Sequence, residues 1–374
     1  MNQRRSLRIA VVGATGLVGR TMIQVLSEHG HDPQALLLLT SARSAGQVVA
    51  LPGEATATCR EATAEAFEDV DVALFSAGAG VSRELAPRAV ERGATVIDNS
   101  SAWRMDPAVP LVVQQVNPDD LEAHEGIIAN PNCSTMQLAP VLMALRDAVG
   151  LERVIVDTYQ SVSGTGAEAV AELEAQVAAH VAGAAMTASI YPHPIAFNAL
   201  PEIDVFREDG YSQEEWKVVQ ESRKILHLPD LAVSCTAVRV PVFVGHSEAV
   251  HVETRRPISP AQARELLTAV PGVVIRDDPS AHEYPLAADA AGTDDIVVGR
   301  IRRDASLPEG LGLAMWIVAD NVRVGAATNA VGLAETLVTR GWVVPRSRRE
   351  TKVETAAARR ARKPSTPVAE SVAR

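Results

Sequence analysis

The chain has 374 residues, 47% of them apolar and 22% charged, with a formal net charge of −11. That length suggests two domains, each large enough for its own core, and the acidic balance argues against nucleic acid as the main partner. No apolar run reaches membrane-spanning length, and three widely spaced cysteines (Cys59, Cys133, Cys235) suggest neither a disulfide framework nor a metal site, which fits a reducing cytoplasm.

The first eight residues are basic, and the apolar stretch after them is too short for a secretory signal. Leu7 to Val12 reads as a buried parallel strand ended by glycine. Gly13-Ala14-Thr15-Gly16-Leu17-Val18-Gly19 follows, then a helix from about Arg20 to His29. Glycines between a strand and a helix permit a tight turn and close approach of a pyrophosphate to helix N–H groups. Leu36 to Leu39 is a second strand. An NAD site usually carries Asp or Glu at its end, but here it reads Thr40-Ser41-Ala42-Arg43-Ser44. Hydroxyls and a guanidinium suit a 2′-phosphate, so Ser41, Arg43 and Ser44 point to NADP. A solvated loop arginine is the plainer alternative.

Asp71 to Ser76, Ala94 to Asp98 and Gly126 to Asn130 are further strands, with a helix through Arg92 after the first. Alternating strands and helices with glycine after strands indicate a Rossmann-like, doubly wound parallel sheet over residues 1–132. Asn130-Pro131-Asn132-Cys133-Ser134-Thr135 then places one thiol just ahead of a long apolar helical run, Met136 to Val149. The positive end of a helix dipole lowers a thiol pKa and favours the nucleophilic thiolate. Taken alone, Cys133 is equally readable as a small core residue.

Past Cys133 the texture changes. Val154 to Val162 is a long strand, and Ala167 to Val181 and Gln213 to Leu226 are helices. Ser234 to Val244, Glu248 to Thr254 and Ile296 to Arg303 alternate like antiparallel strands, and Leu311 to Ala319 adds another. Residues 133–324 are therefore expected to form an α+β domain with one helix-covered sheet. A final helix, about 325–342, should return to the nucleotide domain. Residues 346–374 carry nine Lys/Arg against three Asp/Glu, a net of +6 that leaves −17 on the rest. This basic tail lacks large apolar residues and is expected to be a disordered extension.

Several motifs occur in order: Gly13 to Gly19, Ser41 to Gly46, Asn99-Ser-Ser-Ala-Trp-Arg104, and Asn130 to Thr135. Tyr159 to Gly164, Glu214-Glu-Trp-Lys217, Val238-Arg239-Val-Pro-Val, Gly245-His246-Ser-Glu248, Asp320-Asn321 and Gly325 to Asn329 follow. Together they make residues 7–342 resemble the bacterial type of aspartate-β-semialdehyde dehydrogenase. The resemblance implies NADPH-dependent reduction of aspartyl-4-phosphate to aspartate semialdehyde and phosphate, in aspartate-family amino-acid and diaminopimelate biosynthesis. It also implies a homodimer joined through the α+β domains.

By the same resemblance Cys133 is the nucleophile that forms a thioester, with Asn132 fixing its turn and Gln160 orienting it. His246 is the general acid–base, its imidazole suited to proton transfer near neutral pH. His251 has opposite strand parity and is assigned a structural role. Arg239 grips the substrate α-carboxylate, Arg104 and Lys217 bind phosphate, and Glu214 faces the substrate ammonium. The plainer alternative for Glu214 and Lys217 is an i,i+3 ion pair on a solvated face. Ser163, Gly164 and Thr165 border the nicotinamide, and Asn329 lies near the cofactor or caps the last helix. Gly332 departs from the family, which often has glutamine there. N-acetyl-γ-glutamyl-phosphate reductase is the neighbouring reading in the same fold, and a non-catalytic dehydrogenase-like paralogue the alternative from another class. The free amino group implied by Glu214 and the presence of Cys133, His246 and Arg239 weigh against each in turn.

Overall fold

The computed structural model describes residues 7–343; the basic tail lies outside them. The first sheet is built from β1 (Ile9–Val12), β2 (Leu37–Thr40), β5 (Arg60–Glu61), β6 (Val72–Phe75), β7 (Thr95–Asp98) and β8 (Ile127–Ala129), with a small hairpin of β3 (Val48–Ala50) and β4 (Thr56–Thr58) beside it. Its order is β5-β2-β1-β6-β7-β8, and every pairing is parallel. β1 and β6 are buried at every residue, because helices cover both faces and leave no polar side to alternate.

One face carries Ile9, Val11 and Leu74 against Met22, Ile23 and Leu26 of α1 (Leu17–Glu28). The other carries Ala10, Val12 and Phe75 against Leu85 and Ala89 of α2 (Ala79–Glu91). Each large apolar side chain so enclosed stabilises the fold by about 1.5–3 kcal/mol. The chain reverses its winding between β1 and β6, which opens a crevice beyond their C-terminal ends.

α3 (Cys133–Val149) leads into the second sheet. Its strands are β9 (Leu151–Gln160), β10 (Ala232–Arg239), β11 (His246–Thr254), β12 (Val273–Ile275), β13 (Ile296–Arg303) and β14 (Gly312–Ala319), in the order β10-β9-β11-β14-β13-β12. The expectation of antiparallel strands is corrected at both edges of the sheet, where β10 runs parallel to β9 and β12 runs parallel to β13. The crossover between β9 and β10 contains α4 (Ala167–Val181) and α5 (Gln213–Ile225), long enough to return the chain to the same edge. β10 stops at Arg239, two residues before Pro241, which has no N–H to offer the ladder.

α3, α5 and α6 (Pro260–Thr268) cover one face, with Val141, Leu145, Val218 and Leu267 packed on Val154, Val250 and Ile317. The other face is more open: Tyr159 is exposed, and its ring lies 5.2 Å from that of the half-buried Trp316.

The last segment also differs from expectation. A π-helical turn, Arg323–Thr328, precedes the final helix Asn329–Thr339. Arg323 anchors that turn between the two sheets, meeting Glu28 of α1 and Asp294 of the second domain at 2.6 Å each. Ala330, Val331, Leu333 and Leu337 of the final helix complete the core of the first sheet.

Candidate active site

The crevice beyond β1 and β6 continues into a cavity of about 620 Å³ between the two sheets. At its nucleotide end, Gly13 adopts φ +87°, and a Cβ there would lie 2.9 Å from the Ser76 backbone. A Cβ on Gly19 would collide with the carbonyl of Gly13. Glycine is thus required twice, once for backbone conformation and once for close packing of α1 on the turn. The Gly13 and Ala14 amides donate to Leu39 O at 2.8 and 3.1 Å, which ties the turn to β2. Ser41, Arg43 and Ser44 form a short turn at the end of β2, with Arg43 exposed. Of the glycine turn only Val18 lines the cavity.

At the other end Cys133 is the first residue of α3 and opens to the cavity. The Asn132 side chain caps the helix by accepting from the Ser134 amide at 2.9 Å. Cys133 Sγ lies 3.3 Å from Nε2 of His246, which begins β11. Small residues make this approach possible. A Cβ on Gly325 would stand 2.7 Å from Cys133 Cβ, and one on Gly164 would stand 3.0 Å from Arg239 Nη1 and 3.1 Å from His246 Cε1.

Burial and the Glu214 charge push the Cys133 thiol up to about 12, against the pull of Arg239 and Arg104. This reverses the direction expected from the helix start, since desolvation and a nearby carboxylate outweigh the helix dipole. Burial and the Arg239 charge push His246 down to about 3. The resting pair is therefore neutral thiol and neutral imidazole.

The remaining polar residues come from α5, from the ends of β9 and β10, and from the turn after β9. Glu214 and Lys217 lie on α5, with Glu214 buried. Its carboxylate accepts from Asn132 Nδ2 at 2.9 Å, Gln160 Nε2 at 3.1 Å and Lys217 Nζ at 3.0 Å. Burial alone would raise its pKa, but the Lys217 charge and these bonds hold it down at about 2. Lys217 also donates to Asp204 at 2.7 Å. The pair does form, but in the cavity wall instead of on a solvated face. Arg239, at the end of β10, donates Nη1 to Ser161 O at 2.7 Å, while its buried Nε has no partner. Gln160 contacts the Ser134 hydroxyl and Glu214, one residue away from the thiol. Ser163, Gly164 and Thr165 line the cavity beside Asn321.

Arg104 is buried, donating to Asn130 O (2.9 Å), Asn99 O (2.7 Å) and Glu221 (3.0 Å). The other Glu221 oxygen accepts the Asn132 amide at 2.6 Å. Sequence reasoning missed Glu221, although it lies seven residues after Glu214, two turns along the same helix face.

Asn329 does not cap the last helix. Its Nδ2 donates to Val112 O and Asn130 Oδ1, and its Oδ1 accepts the Gln114 backbone N–H. Gly332 faces the Gln114 side chain, which fills the space a Cβ would need and donates to Gly332 O at 3.2 Å. His251 points to the opposite sheet face and pairs with Asp304 at 2.7 Å. Among the described residues no His, Cys, Asp or Glu cluster could hold a metal ion, and no helix is long and apolar enough to cross a membrane.

Comparison with known proteins agrees with this geometry. Residues 8–124 match the family "Semialdehyde dehydrogenase, NAD binding domain", and residues 142–324 match "Semialdehyde dehydrogenase, dimerisation domain". Fold and site thus define an oxidoreductase of the semialdehyde dehydrogenase class. Aspartate-semialdehyde dehydrogenases of Aquifex aeolicus and Bacillus subtilis are 51% and 49% identical, over 90% and 89% of this chain and 99% and 98% of theirs. The solved structure of aspartate semialdehyde dehydrogenase II from Vibrio cholerae, complexed with ASA, superposes with a TM-score of 0.86 at 44% identity, covering 90% of this chain and 99% of that one. The chain belongs to the aspartate-semialdehyde dehydrogenase family.

Proposed function

We propose that this enzyme reduces L-aspartyl-4-phosphate to L-aspartate-4-semialdehyde with NADPH, through a thioester on Cys133. The observation that carries the reading is the 3.3 Å contact between Cys133 Sγ and His246 Nε2, in a cavity also walled by Arg239, Glu214, Lys217 and Arg104.

The residues present fit a dinucleotide. Gly13 and Gly19 let the turn pack tightly against β6 and the start of α1, which leaves the helix N–H groups open to a pyrophosphate, and the cavity runs from Val18 to the thiol. Gly13 to Gly19 would hold the pyrophosphate, Ser163 and Gly164 would border the nicotinamide, and Ser41, Arg43 and Ser44 would take the 2′-phosphate that distinguishes NADP from NAD. Bound NADPH supplies the hydride that reduces the thioester carbonyl.

Arg239 brings an unpartnered, buried Nε to the substrate, an orphan donor that an α-carboxylate would satisfy. Glu214, held ionised, receives the substrate ammonium. Arg104 has one hydrogen left on each Nη, and with Lys217 it would meet the phosphate. Sγ attacks the acyl carbon, the C–O bond to phosphate breaks, and phosphate leaves with the bonding pair. The thiol proton passes to His246 Nε2 during attack and returns when the C–S bond breaks. Because both groups rest neutral, proton removal accompanies the attack instead of preceding it.

In this reading residues 1–132 serve the cofactor and residues 133–324 serve catalysis and dimerisation. The homodimer forms through the open face of the second sheet, where the rings of Tyr159 and Trp316 meet at a tilt. The free cysteines suit a reducing compartment such as the cytoplasm. The test is phosphate-dependent reduction of NADP with aspartate semialdehyde, run beside N-acetylglutamate semialdehyde. Turnover of the first aldehyde that requires phosphate is expected. Turnover of only the second, or of neither by folded protein, overturns the proposal.

A further inference from the structure

Ser161 and Asn321 have no part in the chemistry above, yet both are buried beside His246. Asn321 Oδ1 accepts the Gly245 backbone amide at 2.9 Å. A backbone N–H can only donate, so this bond fixes which end of the Asn321 amide faces the histidine. The same oxygen accepts the Ser161 hydroxyl at 2.9 Å. The Ser163 hydroxyl joins this network, 3.0 Å from Ser161 Oγ and accepting Asn321 Nδ2 at 3.0 Å. When the Ser161 hydrogen is directed to Asn321 Oδ1, Ser161 Oγ presents lone pairs to His246 Nδ1, 3.1 Å away. The Ser161 backbone N–H also reaches Nδ1 at 3.1 Å. One residue thus offers Nδ1 both an acceptor and a donor.

We propose that Ser161 and Asn321 are positioning residues that allow His246 to carry a proton at Nδ1, leaving Nε2 free to take the proton of Cys133. This rests on His246 being the base for the thiol. With the proton on Nδ1, a chain runs from Nδ1–H to Ser161 Oγ and from the Ser161 hydroxyl to Asn321 Oδ1. The Nε2 lone pair then faces Sγ. During transfer the S–H bond breaks, an Nε2–H bond forms, and the hydroxyl and amide protons stay where they are. The Ser161 amide alone would favour the opposite tautomer, in which Nε2 already bears hydrogen and His246 can only donate. Asn321 supplies the counterweight by turning the hydroxyl into an acceptor. A base oriented by a third group is a general device of nucleophilic catalysis. Here the third group is a neutral amide, which orients the ring without adding charge that would hold it protonated at rest.

The test uses full-length enzyme and reads the ring directly. Nitrogen-15 shifts of His246, assigned by comparison with His246→Asn, report which nitrogen bears hydrogen without requiring turnover. Ser161→Ala should move the ring to the Nε2–H form. It should also lower kcat by roughly 10- to 100-fold, part of what a general base contributes, with KM for aspartate semialdehyde within about twofold. Asn321→Asp keeps the acceptor and should retain the Nδ1–H form, whereas Asn321→Ala should lose it. Asn321 lines the cavity, so KM for NADP is measured alongside. The Ser161→Ala/Asn321→Ala double variant should be no slower than the worse single variant, because both act through one bond to Nδ1. Unchanged ring shifts in Ser161→Ala, or fully additive losses, overturn the proposal. Full activity in His246→Asn would instead overturn the assignment of His246 as base.

Discussion

Replacing Glu221 by glutamine tests whether the site is held from behind. One oxygen of Glu221 accepts Arg104 Nη1 at 3.0 Å, and the other accepts the Asn132 amide at 2.6 Å. The side chain is 1% exposed, so water cannot replace either bond. Glutamine has nearly the same shape but turns one acceptor into a donor, which must then face either a guanidinium N–H or a backbone N–H. A hydrogen bond to a charged group contributes about 1.5–3 kcal/mol, and removing one partner of a buried ion pair costs about 3–5 kcal/mol. Arg104 keeps two carbonyl partners, Asn130 O and Asn99 O, so a loss of about 2–4 kcal/mol is expected. Urea unfolding of the two proteins, followed by tryptophan fluorescence, measures it as a lower midpoint at similar slope. Because the Asn132 amide immediately precedes Cys133, the proposed nucleophile, kcat should fall as well. A loss of stability below about 1 kcal/mol, with kcat intact, would refute the reasoning.

Alkylation of Cys133 by iodoacetamide in the free enzyme should accelerate only toward strongly alkaline pH, since the thiol is pushed up to about 12. Glu214→Gln removes a charge that raises it and should shift that rise toward neutrality; an unmoved profile counts against the electrostatic account. Arg43→Ala should erode the preference for NADP over NAD, measured as a ratio of kcat/KM values, and an unchanged ratio would reject Arg43 as the selector. Acid should destabilise the fold. Glu214 has a folded pKa of about 2 against 4.5, and His246 about 3 against 6.5. Both are depressed, so the unfolded chain binds more protons as pH falls. Stability is thus fully present above pH 6.5 and is lost progressively toward pH 2. The Glu214 share is about 3 kcal/mol, and a midpoint of urea unfolding flat across that range would contradict it.

The parallel sheet and its glycine turn were legible because short, continuous apolar strands ending in glycine have few other readings. Cys133 was legible by its place before a helix, but its ionisation was not. The sign depends first on burial that only the assembled cavity creates, and then on Glu214, 81 residues away in sequence. The parallel pairing of β9 with β10 was hidden for a related reason: alternation reports which face is buried, not which way a neighbour runs. Asn329 carried the right residue type in a helix-start context, yet its amide is consumed by three backbone and side-chain partners that converge from distant loops. Glu221 left a trace in its helical spacing, but a buried carboxylate is so seldom read from sequence that the spacing alone did not single it out.

Gly325 covers Cys133, and the helix that follows closes the core of the first sheet. Synthesis runs from the N-terminus, so the Rossmann strands and Cys133 leave the ribosome some 190 residues before the segment that encloses them. Until residues 320–339 emerge, the first sheet lacks one of its helices and the thiol lacks its cover. The site therefore takes its geometry only after residue 325 has been made, and a chain cut short just before it would leave Cys133 without the wall that Gly325 packs against it.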